Sequence, residues 1–166
     1  MIQRAQSVYL LLAFLCMVML LFFPVFSVEA TSSESQVVLK AVVDQQGVHG
    51  EGLEAGGFPL YIIYIILALF SAACILLYKN RPRQLMITRI NLIFHFLLVI
   101  GIYLFYYLGA GFVEEGVYNL TGEETKVIFY MEIGFFILIP SIAFLLLAIR
   151  GIRRDENLVK SLDRIR

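Results

Sequence analysis

The chain has 166 residues, 60% of them apolar, a mean hydropathy of +0.85 and no formal net charge. A soluble domain is usually about 45–50% apolar, so this composition excludes one and leaves a single compact membrane domain, with nothing to suggest a nucleic-acid partner. Four stretches almost free of charge, 5–28, 55–78, 90–113 and 127–149, are each long enough at about 1.5 Å per residue to cross a hydrocarbon core of about 30 Å.

In chain order, the first transmembrane helix is expected over 7–28, with Pro24 near its outer end bending the last turn. Val28-Glu29-Ala30 also fits a signal-peptide cleavage site. An apolar stretch of about 20 residues, against the 7–15 of a signal core, favours retention as a helix. An outer loop, 29–57, follows; its Val-rich part meets Asp44-Gln45-Gln46-Gly47 and reads as a strand entering the turn of a short hairpin, completed near Val117 and Leu120. The second helix, 58–78, opens on Phe58-Pro59 and carries Ala68, Ser71, Ala72 and Ala73, small enough for another helix to approach closely. A basic inner turn, 79–89, makes the second and third helices antiparallel neighbours. The third helix is expected over 90–111, a second outer loop over 112–126, and the fourth helix over 127–149. The tail, 150–166, forms an amphipathic helix with Ile152, Leu158, Val159, Leu162 and Ile165 on one arc, and Asp155 interrupting that arc.

Charge sorts these loops by side. Eleven of the 13 basic residues fall before the first helix, in the inner turn or in the tail, whereas the two outer loops hold nine carboxylates against Lys40 and Lys126. The positive-inside rule then makes both termini cytoplasmic and both acidic loops external. Tyr9, Tyr61, Tyr78, Tyr106, Tyr107 and Tyr130 lie near the expected interfaces, as an aromatic belt requires.

Few residues carry chemistry. Glu132, expected about 7 Å inside the fourth helix, is an ionisable group in a span and is either hydrogen-bonded near the outer interface or handles a proton or ligand, with Tyr64 and Tyr103 as polar neighbours. His95, near the cytoplasmic end of the third helix, lies too far from Glu132 for a dyad and cannot alone form a bis-histidine haem site. Cys16 and Cys74 sit inside spans as small apolar residues, so neither a disulfide nor a metal is expected. The outer acids lack calcium-loop spacing, and Asn119-Leu120-Thr121 matches a glycosylation sequon that has meaning only in a eukaryotic secretory pathway.

The two ends are more particular. The opening Met1-Ile2-Gln3-Arg4-Ala5-Gln6-Ser7-Val8-Tyr9, the turn Asn80-Arg81-Pro82-Arg83-Gln84 and the closing Arg154-Asp155-Glu156-Asn157-Leu158-Val159-Lys160-Ser161-Leu162-Asp163-Arg164-Ile165-Arg166 resemble the bacterial membrane family called domain of unknown function 4293, found mainly in Bacteroidetes. The resemblance covers essentially the whole chain and implies a bacterial inner membrane and a periplasmic first loop; it brings no activity and no catalytic residues.

The sequence thus describes an all-α membrane protein: an antiparallel bundle of four transmembrane helices, a short periplasmic β-hairpin and a cytoplasmic C-terminal amphipathic helix. Gln3, Arg4 and Gln6, with Asp155, Glu156, Lys160, Asp163 and Arg164, are expected to form one polar cytoplasmic surface for a membrane or cytoplasmic protein partner, beside the surrounding lipids. A non-enzymatic interaction subunit without cofactor is the leading expectation. The alternative is a small-molecule or lipid-binding or transport protein using the site near Glu132; an intramembrane enzyme would need clustered His, Cys or acidic residues at one depth.

Overall fold

The computed structural model describes residues 3–32, 39–44, 47–50, 53–55, 60–121 and 125–163. Among these the chain is mostly helical: α1 (Gln3–Met19), β1 (Phe26–Ser32), β2 (Leu39–Asp44), β3 (Gly47–Gly50), β4 (Leu53–Ala55), α2 (Leu60–Leu76), α3 (Arg81–Thr121), β5 (Thr125–Met131) and α4 (Ile133–Asp163). Three helical segments, Leu60–Lys79, Arg81–Leu108 and Ile133–Val159, are long and apolar enough to cross a membrane, and Gln6–Met19 is a shorter apolar helix.

The helices stand side by side in a ring, α1 against α2 and α4, and α3 against α2 and α4. Only a 3-10 turn, Leu77–Lys79, and Asn80 separate α2 from α3, so those two are antiparallel neighbours. Their packing follows one rule. Each helix has a run of buried residues, Gln6, Leu10, Ala13, Met17 on α1, Tyr64, Leu67, Ser71, Cys74 on α2, Gln84, Thr88, Asn91, His95, Leu98, Ile102 on α3, and Leu138, Ser141, Leu145, Ala148, Ile152, Asp155 on α4, with Ala68 and Leu85 buried beside it. Every helix therefore buries a seam spaced by alternating threes and fours, the pattern by which helices interlock at small crossing angles.

The polarity of this assembly is inverted relative to a soluble protein. Seam positions include Gln, Thr, Asn, His, Ser and Asp, while Leu11, Leu15, Ile66, Leu69, Leu97, Ile100, Phe136 and Ile139 are exposed on the outer faces. An exposed apolar band of that extent needs a non-aqueous surrounding.

At one end of the helices sits an antiparallel five-stranded sheet ordered β4-β3-β2-β1-β5. The expected hairpin is present as β2 and β3, with Asp44 opposite Gly47; the turn residues Gln45 and Gln46 lie outside the described residues. Its completion is corrected: the partner strand is β5, pairing with β1 through Val28 opposite Phe129 and Ala30 opposite Val127, whereas Val117 and Leu120 belong to α3. Phe26, Val28, Val127 and Phe129 bury the sheet face. Phe26 packs against Phe105 of α3 with ring centroids 5.4 Å apart, and Tyr106 against Phe129 at 5.6 Å, both pairs tilted.

The remaining boundaries also move. The first span does not run to 28: Leu21 N–H bonds Val18 O and Phe22 N–H bonds Met19 O, tightening the end of α1 before Pro24 breaks it, and β1 begins at Phe26. Residues 127–131 are strand, not the start of the fourth helix, because β-branched and aromatic side chains pair with β1 there. The inner turn 79–89 contracts, as helix resumes at Arg81 with Pro82 tolerated in the first turn. The tail is no separate helix; α4 runs unbroken for 31 residues past Pro140. Pro140 donates no backbone N–H, and Ser141 Oγ, just after it, donates to Leu138 O at 2.6 Å. The Phe58-Pro59 start of the second span lies outside the described residues.

Candidate functional site

The end of the ring opposite the sheet gathers the start of α1, the start of α3 and the end of α4. Gln6 Nε2 donates to Asp155 Oδ2, both residues being 6% exposed, and Arg81 Nη1 donates to Asp155 O at 3.1 Å. Gly151 permits this closure, since a Cβ there would lie 2.8 Å from Gln6 Cγ. At the other end of the same helix pair, Gly134 N–H bonds Pro24 O at 2.9 Å, with no room for a side chain on Gly134. The segment from Gln6 to Pro24 is thus tied at both ends to the stretch of α4 between Gly134 and Asp155, about 32 Å of helix.

From that end inward, α3 lines the core with polar groups at four successive seam positions. Gln84 Nε2 donates to Cys74 O at 2.9 Å, Thr88 Oγ1 to Gln84 O at 2.8 Å, and Asn91 Nδ2 to Ser71 Oγ at 2.8 Å. His95 Nδ1 lies 2.9 Å from Asn91 O, to which it donates. The Gln84 and Asn91 bonds join α3 to α2 where apolar packing alone would not fix their register, whereas those of Thr88 and His95 stay within α3. Asn91 Oδ1, His95 Nε2 and Tyr64 Oη are buried without a hydrogen-bond partner among the described residues.

The residues expected near Glu132 do not form one pocket. Glu132 lies at the β5–α4 junction rather than within a span: its N–H bonds Val25 O at 3.0 Å, its O accepts from Phe135 N–H, and Oε1 accepts from Ser27 Oγ at 2.8 Å. The carboxylate is half-buried at the start of α4, where a helix favours negative charge. Tyr64 faces the core among Leu98, Ile102 and Leu138, whereas Tyr103 is 52% exposed and stacks on Tyr106.

The expected polar surface divides in the same way. Gln6 and Asp155 are buried against each other, so neither faces a partner, and Asp155 does not interrupt an exposed apolar arc but closes the inner seam. Glu156 is half-buried; Arg164 lies outside the described residues, as do the side chains of Gln3, Arg4, Lys160 and Asp163. What α4 exposes is a single stripe. Phe136, Ile139, Leu146 and Leu147 lead along one helix face to Arg150, Arg153, Arg154, Asn157, Leu158 and Ser161, which line a shallow groove of about 530 Å³.

Sequence reasoning missed the α3 seam, although the spacing of Gln84, Thr88, Asn91 and His95 signalled it. Among the described residues no group of three His, Cys, Asp or Glu is placed to hold a metal ion. No curated protein matches the chain. The family described as Domain of unknown function (DUF4293) matches over residues 2–165, essentially from end to end, and the chain belongs to it.

Proposed function

We propose that the chain is a four-pass protein of the bacterial inner membrane, with both termini cytoplasmic and the sheet periplasmic, that serves as a non-enzymatic interaction subunit. Four passes are supported by the ties between the first segment and α4: Gln6 to Pro24, helical as far as Met19, runs beside the stretch of α4 from Gly134 to Asp155, about 32 Å, close to the roughly 30 Å of a hydrocarbon core. The basic ends of α3 and α4 lie together with both termini, which is the side the positive-inside rule assigns to the cytoplasm.

The observation that carries the interaction role is the continuity of α4. A helix of 31 residues is longer than the membrane requires, and the Gln6, Arg81 and Gly151 contacts hold its emerging part at a fixed height. Arg150, Arg153 and Arg154 then fall among lipid headgroups, and beyond them the last turns of α4 expose Asn157, Leu158 and Val159 on successive sides of the helix to a protein partner. The test is crosslinking and affinity purification of the full chain beside Leu158→Ser/Val159→Ser, which leaves Asp155 in place. A protein partner lost in the variant supports docking on this face; identical partners in both chains refute it. A truncation at Arg150 is the wrong comparison, because it also removes Asp155 from Gln6.

A second reading, binding of a small molecule in the helix core, shifts from Glu132 to the α3 seam. Asn91 and His95, with their unpartnered acceptors, favour it.

A further inference from the structure

The α3 seam changes character at His95. Gln84, Thr88, Asn91 and His95 precede it in polar succession, and Leu98 and Ile102 follow. The first two polar groups are settled by bonds to backbone carbonyls. Asn91 spends its amide N–H on Ser71, and His95 spends Nδ1–H on Asn91 O. Because a carbonyl oxygen only accepts, the proton of the neutral imidazole sits on Nδ1 and Nε2 presents a bare lone pair.

Two acceptors are then left over, Asn91 Oδ1 and His95 Nε2, on residues that are each 0% exposed. They lie one helical turn apart on the same seam, so their side chains share one face of α3 at about 5–6 Å between Cβ atoms. Neither acceptor satisfies the other; both require a donor. The residue facing Asn91 across the α2–α3 contact, Ser71, is small.

We propose that Asn91 and His95 bind a water molecule inside the helix core, one O–H donated to Asn91 Oδ1 and the other to His95 Nε2. A water with both donor distances near 2.8 Å bridges acceptors about 4.5 Å apart, which suits side chains one turn apart on a helix. Gln84 and Thr88 continue the polar side of the seam from this site toward the start of α3. On the far side Met17, Leu67, Leu98, Ile102 and Leu138 close the core around the buried Tyr64. His95 Nε2 thus accepts a hydrogen bond from a water held inside the helix core. This deepens the small-molecule reading of the seam and is independent of whether α4 docks a partner.

The experiment is solid-state NMR of the full chain in lipid bilayers, with 15N-labelled histidine and a His49→Gln background so that His95 is the sole histidine signal. The expected result is magnetisation transfer from water to the His95 imidazole at short mixing time, with Nε2 displaced from the resonance of an unbonded lone-pair nitrogen. Asn91→Leu should lengthen that transfer several-fold. An Nε2 signal of an unbonded nitrogen with no transfer from water overturns the proposal, and so does a proton found on Nε2 rather than Nδ1. The measurement on the unsubstituted seam decides the matter even if Asn91→Leu does not fold. Incorporation into the bilayers reports the membrane reading separately.

Discussion

Gln6 and Asp155, 149 positions apart in the chain, meet in a buried hydrogen bond in which the Gln6 amide donates to the Asp155 carboxylate. Because Asp155 also offers its backbone O to Arg81, one residue gathers the starts of two helices at the end of a third. Asp155→Ala leaves the Gln6 amide buried without an acceptor, at a cost of about 1–3 kcal/mol. The thermal midpoint of Asp155→Ala in lipid nanodiscs should fall clearly below that of the parent, and Gln6→Ala combined with it should cost less than the sum of the two single changes. Additive costs would show that the two side chains do not interact.

The two helical glycines Gly134 and Gly101 should respond in opposite directions to the same substitution. A Cβ on Gly134 would lie 2.4 Å from Pro24 O, a backbone atom that cannot swing aside, whereas Gly101 has nothing within 4 Å. Gly134→Ala is therefore expected to destabilise by about 1–3 kcal/mol, and Gly101→Ala to stabilise by up to about 1 kcal/mol through helix propensity. Unfolding of both variants in the same detergent checks the pair.

Glu132 serves as an acceptor at a helix start, so the amide should replace it with little loss. Glu132→Gln keeps an oxygen for Ser27 Oγ and forgoes only the charge at the start of α4, about 0.3–1 kcal/mol. Glu132→Leu removes the acceptor as well and should cost more. A Glu132→Gln protein that folds with parental stability yet loses a measurable transport or binding activity would restore this residue as a functional site.

Arg150, Arg153 and Arg154 continue an apolar stripe of α4 with a cationic groove, the order of groups in an anionic phospholipid read from tail to phosphate. At about 1 kcal/mol per basic residue near a charged leaflet, replacing all three with Gln should weaken retention of phosphatidylglycerol by roughly 100-fold. Arg83→Gln/Arg89→Gln removes exposed charge from the same end of α3 and is the control. Equal losses in the two variants would reduce the groove to general charge attraction.

Much of this was readable in the residues. Charge sorting and four apolar stretches point to the helices, and Asp44 to Gly47 marks the hairpin turn. Hydropathy did not separate helix from strand where one apolar run contains both: the segment 127–149 is β5 up to Met131 and α4 from Ile133. The pairing of β1 with β5 links residues about a hundred positions apart and leaves no local mark. The inner surface was misassigned for a related reason. Gln6 and Asp155 read as exposed polar ends, and their burial depends on a partner at the opposite terminus. The α3 seam, in contrast, was legible from spacing alone, but a search for isolated ionisable groups picks out Glu132 and passes over an ordered series of mostly uncharged ones.

Helix α3 extends for 41 residues, about 60 Å, with its proline confined to the first turn. One extremity touches Asp155 through Arg81; towards the other, Glu114 Oε1 accepts from Val127 N–H on the edge strand β5. A rod without a joint, held at both ends, makes those ends mechanically dependent. Tilting the sheet by a few degrees sweeps the far tip through several ångströms, so a load on the sheet arrives at the other end of the molecule as torque on the Arg81–Asp155 contact.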